Sequence, residues 1–88
     1  MSKREKVIKA LADENRLSIL DLLKDGELCA AAILENLGIG QSTLSHHMKI
    51  LCESEVVVSR KKSRWVYYKI NDEIIDKLIG LLNVYKNT

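Results

Sequence analysis

Gly38-Ile39-Gly40-Gln41-Ser42-Thr43-Leu44-Ser45-His46-His47-Met48-Lys49-Ile50-Leu51 decides the fold. Glycine adopts backbone angles that other residues avoid, so Gly38-Ile39-Gly40 reads as a tight turn. Beyond it Leu44, Met48 and Leu51 recur at i, i+4 and i+7, which predicts a helix over about Gln41 to Ser54 anchored by one apolar face. Before it Ile33, Leu34 and Leu37 give a helix over about Ala30 to Leu37. Two helices joined by a glycine turn make a helix-turn-helix.

In that motif the amino end of the second helix lies at base edges in the major groove. Glutamine can pair bidentately with adenine, and serine and threonine can bond to bases or phosphates. Amides at a helix amino terminus favour a phosphate whatever the sequence. Gln41, Ser42, Thr43, Ser45, His46 and Lys49 are therefore the candidate DNA contacts of a recognition helix. Adjacent helical positions point about 100° apart, so His46 and His47 do not converge on one metal ion; DNA contact and packing are the expected roles.

Downstream, Val56 to Arg60 and Arg64 to Ile70 are β-branched and aromatic runs that read as a hairpin, with Lys61-Lys62-Ser63 as its loop. Arg60, Lys61, Lys62 and Arg64 cluster at its tip, where a wing meets the sugar-phosphate backbone or enters the minor groove. Such cations add affinity more than sequence choice. A polar first turn or a cationic loop alone is as well explained by solvation; the two in this order and spacing favour DNA binding. Residues 41–70 hold six cationic and two acidic side chains, whereas the whole chain carries only +2.

Upstream, Ser2 and Glu5 fit a capping box opening a helix over roughly residues 3–12, with Val7, Ile8, Leu11 and Ala12 on one face. Asp13 is suited to cap a second helix bearing Leu17, Ile19, Leu20, Leu22 and Leu23, and Gly26 to stop it. A last helix is expected from Asn71, as cap, to about Tyr85. Its apolar set of Ile74, Ile75, Leu78, Ile79, Leu81, Leu82 and Val84 is wider than a small monomer needs to bury, so a second subunit is expected to cover the excess. Val7, Ile8, Leu11, Ile75, Leu78, Ile79 and Leu82 are the expected dimer interface. An 88-residue chain buries only about 60% of its unfolded surface, so residues 1–88 are expected to form a single domain. The predicted class is α+β, mostly helical, with winged helix-turn-helix topology.

The sequence has no run of ~18 apolar residues to cross a bilayer, and its charged start is unlike a signal peptide. A cytoplasmic protein with no membrane partner is expected. Its two cysteines, Cys29 and Cys52, fit neither a CxxC site nor a disulfide framework. Three function classes remain: a DNA-binding regulator, a winged-helix module that binds another protein, and an enzyme built on a Cys-His nucleophile. Nothing in the sequence orients a base for the third.

Ala10-Leu11-Ala12-Asp13-Glu14-Asn15-Arg16-Leu17-Ser18-Ile19-Leu20, Glu27-Leu28-Cys29, Gln41 to Leu51 and Arg64-Trp65-Val66-Tyr67-Tyr68 resemble the ArsR/SmtB family of metalloregulators over about residues 7–70. The resemblance implies a homodimeric repressor of double-stranded operator DNA with an inverted repeat, released by an inducer and paired through its first and last helices. Gly80 would let the paired last helices approach closely, or is simply a tolerated helix glycine costing about 1 kcal/mol. Relatives often hold thiophilic metals in a Glu-Leu-Cys-x-Cys-Asp string. Here it reads Glu27-Leu28-Cys29-Ala30-Ala31-Ala32, and the last helix has no histidine for the family's other site. No cofactor is required. Any response rests on Cys29 and Cys52, by a thiol oxidant or an arsenical or other metal, or there is no small-molecule inducer. Cys29 falls at a helix amino terminus, where thiols become more reactive, or else is a small apolar filler; Cys52 reads as a packed hydrophobe.

Overall fold

The computed structural model describes residues 1–87. Helix α1 (Lys3–Leu11) begins at the expected capping box: the Ser2 hydroxyl accepts from the Glu5 amide at 3.2 Å, and Glu5 returns a bond to the Ser2 amide. Asp13 then accepts from the Arg16 amide at 3.2 Å and starts α2 (Glu14–Leu23). The two-residue strand β1 (Leu28–Cys29) leads into α3 (Ala30–Leu37), and Gly38 ends that helix at φ +65°, in the left-handed region where a side chain is strained. Helix α4 (Gln41–Glu53) follows at once, capped by the Gly40 backbone alone. Strands β2 (Val57–Lys62) and β3 (Trp65–Ile70) form the hairpin, and α5 (Asp72–Asn83) closes the order.

The sheet runs β1-β3-β2, all antiparallel, with Leu28 opposite Tyr68, Cys29 opposite Tyr67 and Arg60 also opposite Tyr67. Side chains alternate along a strand. One face therefore carries Val57, Ser59, Lys61, Val66, Tyr68 and Ile70 toward the helices, and the other carries Val58, Arg60, Lys62, Trp65, Tyr67 and Cys29.

One core holds the elements together: Val7 and Ala10 from α1, Ile19 and Leu23 from α2, Ile33 from α3, Leu44, Met48 and Leu51 from α4, then Val56, Val57 and Ile74. The expected anchors of α4 are all inside. Ile8, by contrast, is 46% exposed, and Val7, expected at a subunit interface, is a core residue at 6%. The register of α1 turns Val7 and Ala10 inward together, three positions apart, and leaves Ile8 outward.

Several boundaries differ from the sequence reading. The hairpin loop is not Lys61-Lys62-Ser63: both lysines continue β2, and the turn is Ser63-Arg64. Ser63 takes φ +58°, the left-handed angle a two-residue hairpin needs, without the glycine or asparagine that usually signals it. Asn71 occupies the cap position of α5 but makes no side-chain cap bond; its amide donates to the Glu55 carbonyl at 3.0 Å and its backbone N–H to Val56 at 2.9 Å. This pins the start of α5 to the turn after α4, where Glu55 itself adopts φ +66°. Helix α5 ends at Asn83, not Tyr85, and Ile74 is its buried residue. The radius of gyration, 13.7 Å, exceeds the ~12 Å of a compact chain of this length, as a projecting wing and a thinly attached last helix require.

Candidate nucleic-acid interface

On α4 the residues left outward are those with hydrogen-bonding or cationic side chains: Gln41, Ser42, Thr43, Ser45, His46 and Lys49 are all exposed. No side chain caps the amino end of α4, so its first-turn amides face outward unclaimed by a cap. A cleft of about 290 Å³ separates this end of α4 from the hairpin, lined by Gln41, Leu44, Ser45 and Met48 on one side and Arg64, Trp65, Val66 and Tyr68 on the other. Recognition helix and wing thus border a common space.

The wing cations are not equivalent. Lys61, Lys62 and Arg64 are exposed at or beside the turn, Lys61 and Lys62 on opposite faces of β2. Arg64 also lies over the Trp65 ring at 5.3 Å. Arg60, expected among the tip cations, is instead engaged below the tip: Nε and Nη2 donate to Glu27 at 2.8 and 2.7 Å, and the guanidinium stacks on Tyr67 at 4.7 Å. The bidentate bond with Arg60 holds the Glu27 carboxyl below the usual carboxylate range, against a partial desolvation that pushes it up. It ties the segment before β1 to the wing.

That bond predicts a pH dependence. A carboxyl whose pKa is lowered on folding contributes stability fully present above its unfolded value, 4.5, and lost as the pH falls through the lower folded value. Glu27→Gln is therefore expected to lower the urea midpoint at about pH 6, and the deficit should shrink as the pH falls below 4.5. Equal midpoints at about pH 6 would show that the clasp contributes nothing.

The two cysteines are not brought together within the chain. Cys29 sits at the cap position of α3 without a cap bond, on the Arg60–Tyr67 face of the sheet. Cys52 packs on the other face beside Ser59 and Tyr68; burial pushes its thiol up, partly offset by the neighbouring Ser59 hydroxyl. Among the described residues no three His, Cys, Asp or Glu side chains are grouped to hold a metal ion.

The apolar residues assigned to a dimer interface lie on α1 and α5. Ile8 (46%), Ile79 (53%) and Leu82 (53%) are exposed, and Leu11, Ile75 and Leu78 are half-buried. Between the helices runs an apolar groove of about 230 Å³, which Val7 floors from the core side. An added Cβ at Gly80 would meet nothing, so Gly80 makes no close approach within the chain.

His47 is the polar side chain of α4 whose placement differs most from its neighbours. It is 7% exposed and turned inward between Leu44 and Met48. The signal was available: Leu44, His47, Met48 and Leu51 fall at i, i+3, i+4 and i+7, the apolar face of α4.

An exposed polar face on the second helix of a helix-turn-helix, with a cationic hairpin beside it, defines a winged helix-turn-helix DNA-binding protein. The family model described as "Bacterial regulatory protein, arsR family" matches residues 13–59, and the chain belongs to that family. It is 47% identical over 78 residues to the arsenical resistance operon repressor of Staphylococcus aureus, covering 89% of this chain and 75% of that protein. It is 38% identical to the transcriptional repressor SdpR of Bacillus subtilis, covering 88% and 87%. The solution structure of a homodimeric winged helix-turn-helix DNA-binding domain from Mycobacterium bovis superposes with a TM-score of 0.78 at 35% identity, covering 93% of this chain and 76% of that one.

Proposed function

We propose that residues 1–88 form one DNA-binding domain that acts as a homodimeric transcriptional repressor on an inverted-repeat operator. Each subunit contributes α4 to a major groove and its wing to the neighbouring backbone. The observation that carries this reading is the outward face of Gln41, Ser42, Thr43, Ser45, His46 and Lys49 beside the exposed cations Lys61, Lys62 and Arg64. Helix side chains supply discrimination and wing cations supply affinity. Exposed Ile8, Ile79 and Leu82 support pairing through α1 and α5, as does the homodimeric relative. Among the described residues no helix is long and apolar enough to cross a membrane. With Cys29 and Cys52 on opposite sides of the sheet, one subunit supplies no thiol pair.

The test is a titration of the reduced protein against labelled DNA from upstream of its own gene, read by anisotropy with scrambled competitor at several salt concentrations. Specific binding should survive competitor, and log affinity should fall with log salt by about 0.9 per phosphate neutralised. Full loss to competitor, or no salt dependence, would favour the protein-interaction module instead.

A further inference from the structure

Arg16 reaches from the first turn of α2 to two other helices at once. Its Nε donates to the Ala10 carbonyl at 2.7 Å and its Nη2 to the Lys9 carbonyl at 3.2 Å, satisfying the open carbonyl end of α1. Its Nη1 lies 3.1 Å from Nδ1 of His47 on α4. Both side chains are largely buried, at 12% and 8% exposure. Among the described residues Asp13 is the carboxylate paired with them, with an oxygen 3.9 Å from Arg16 Nη1 and another 3.9 Å from His47 Nδ1. Asn15 approaches the far side of the imidazole with its amide nitrogen Nδ2, 3.5 Å from Nε2, and the His46 ring lies 5.5 Å away, tilted.

We infer that His47 is a positioning residue for DNA reading: its unprotonated Nδ1 accepts from Arg16, and this latch fixes the recognition helix against the end of α1. The inference rests on the proposed DNA-binding role. A guanidinium has only donors, so a hydrogen bond at 3.1 Å requires Nδ1 to be the acceptor. The ring proton of the neutral imidazole then sits on Nε2, and the Asn15 amide receives it once turned over, with Oδ1 in the place of Nδ2. The continuous chain of bonds runs from the Ala10 carbonyl through Arg16 to α4. It joins the helix proposed to pair subunits to the helix proposed to read bases. A small rotation of α4 would move Gln41, Ser45 and Lys49 off their contacts without touching them.

Two measurements test this. In long-range ¹H–¹⁵N spectra of the full chain near neutral pH, His47 should show the Nε2–H tautomer, free and with operator; a proton on Nδ1 would overturn the assignment even if no variant folds. In the second, His47→Asn places an amide oxygen where Nδ1 stands, whereas His47→Leu fills the space without an acceptor. Losing a buried acceptor should reduce the ratio of operator to scrambled-DNA affinity about tenfold in His47→Leu, with the salt slope unchanged and His47→Asn within about threefold of the parent. Undiminished discrimination in His47→Leu, or an equal loss in both, would refute the latch. If the parent protein shows no discrimination at all, the DNA-binding proposal fails, while the tautomer result still stands or falls alone.

Discussion

Ile79→Asp combined with Leu82→Asp is expected to turn the protein into a monomer and to lower operator affinity by about a hundredfold or more. Both side chains are 53% exposed on α5, at helical spacing from half-buried Ile75 and Leu78. In the isolated subunit the aspartates stay in water and cost little, so the helical signal should persist. In the proposed dimer they bring uncompensated charge into an apolar seam, at a cost of several kcal/mol. An operator with two half-sites is then held by one subunit at a time, and the gain from linked binding disappears. Sedimentation and DNA titration on a full operator and on a half-site would check this. The half-site affinity should barely change. A variant that stays dimeric, or a monomeric one that keeps full operator affinity, would remove α5 from the interface.

The second large effect belongs to the wing. Replacing Lys61, Lys62 and Arg64 by alanine removes six cations from a dimer while leaving Arg60 on Glu27. If all six meet phosphates, the salt slope should become shallower by about five, and affinity near 0.2 M salt should fall on the order of 10³-fold. The loss should be the same on operator and scrambled DNA, because phosphate contacts carry no sequence information. Gln41→Ala belongs to the other category, costing about 1–3 kcal/mol against the preferred base and little on scrambled DNA. A wing variant with altered sequence preference and an unchanged slope would invert this division of labour.

The helices were legible because their signals are local. The Ser2–Glu5 box, the Asp13 cap, the span of α3 and the Gly38 turn all depend on residues within a few positions of one another. What escaped was set by distant partners. Strand β1 is two residues long and exists only because Leu28 and Cys29 meet Tyr68 and Tyr67, about forty positions away in sequence. Arg60 read as a tip cation because its partner, Glu27, lies 33 residues upstream. The wing turn lies at Ser63-Arg64, beyond both lysines, because Ser63 adopts an angle its side chain does not advertise. At the interface, the outward face of α4 was readable from helical spacing; the bond from Arg16 to His47 was not, since only the packing of α2 against α4 brings them together.

The wing carries the chain's single tryptophan, immediately after the turn, 44% exposed and with the Arg64 guanidinium 5.3 Å from its ring centre. All indole emission from this protein therefore originates at one end of the hairpin. If Arg64 leaves the ring for a phosphate, the quantum yield and emission maximum of Trp65 change with it. The molecule thus contains its own optical gauge of wing engagement, readable without any label.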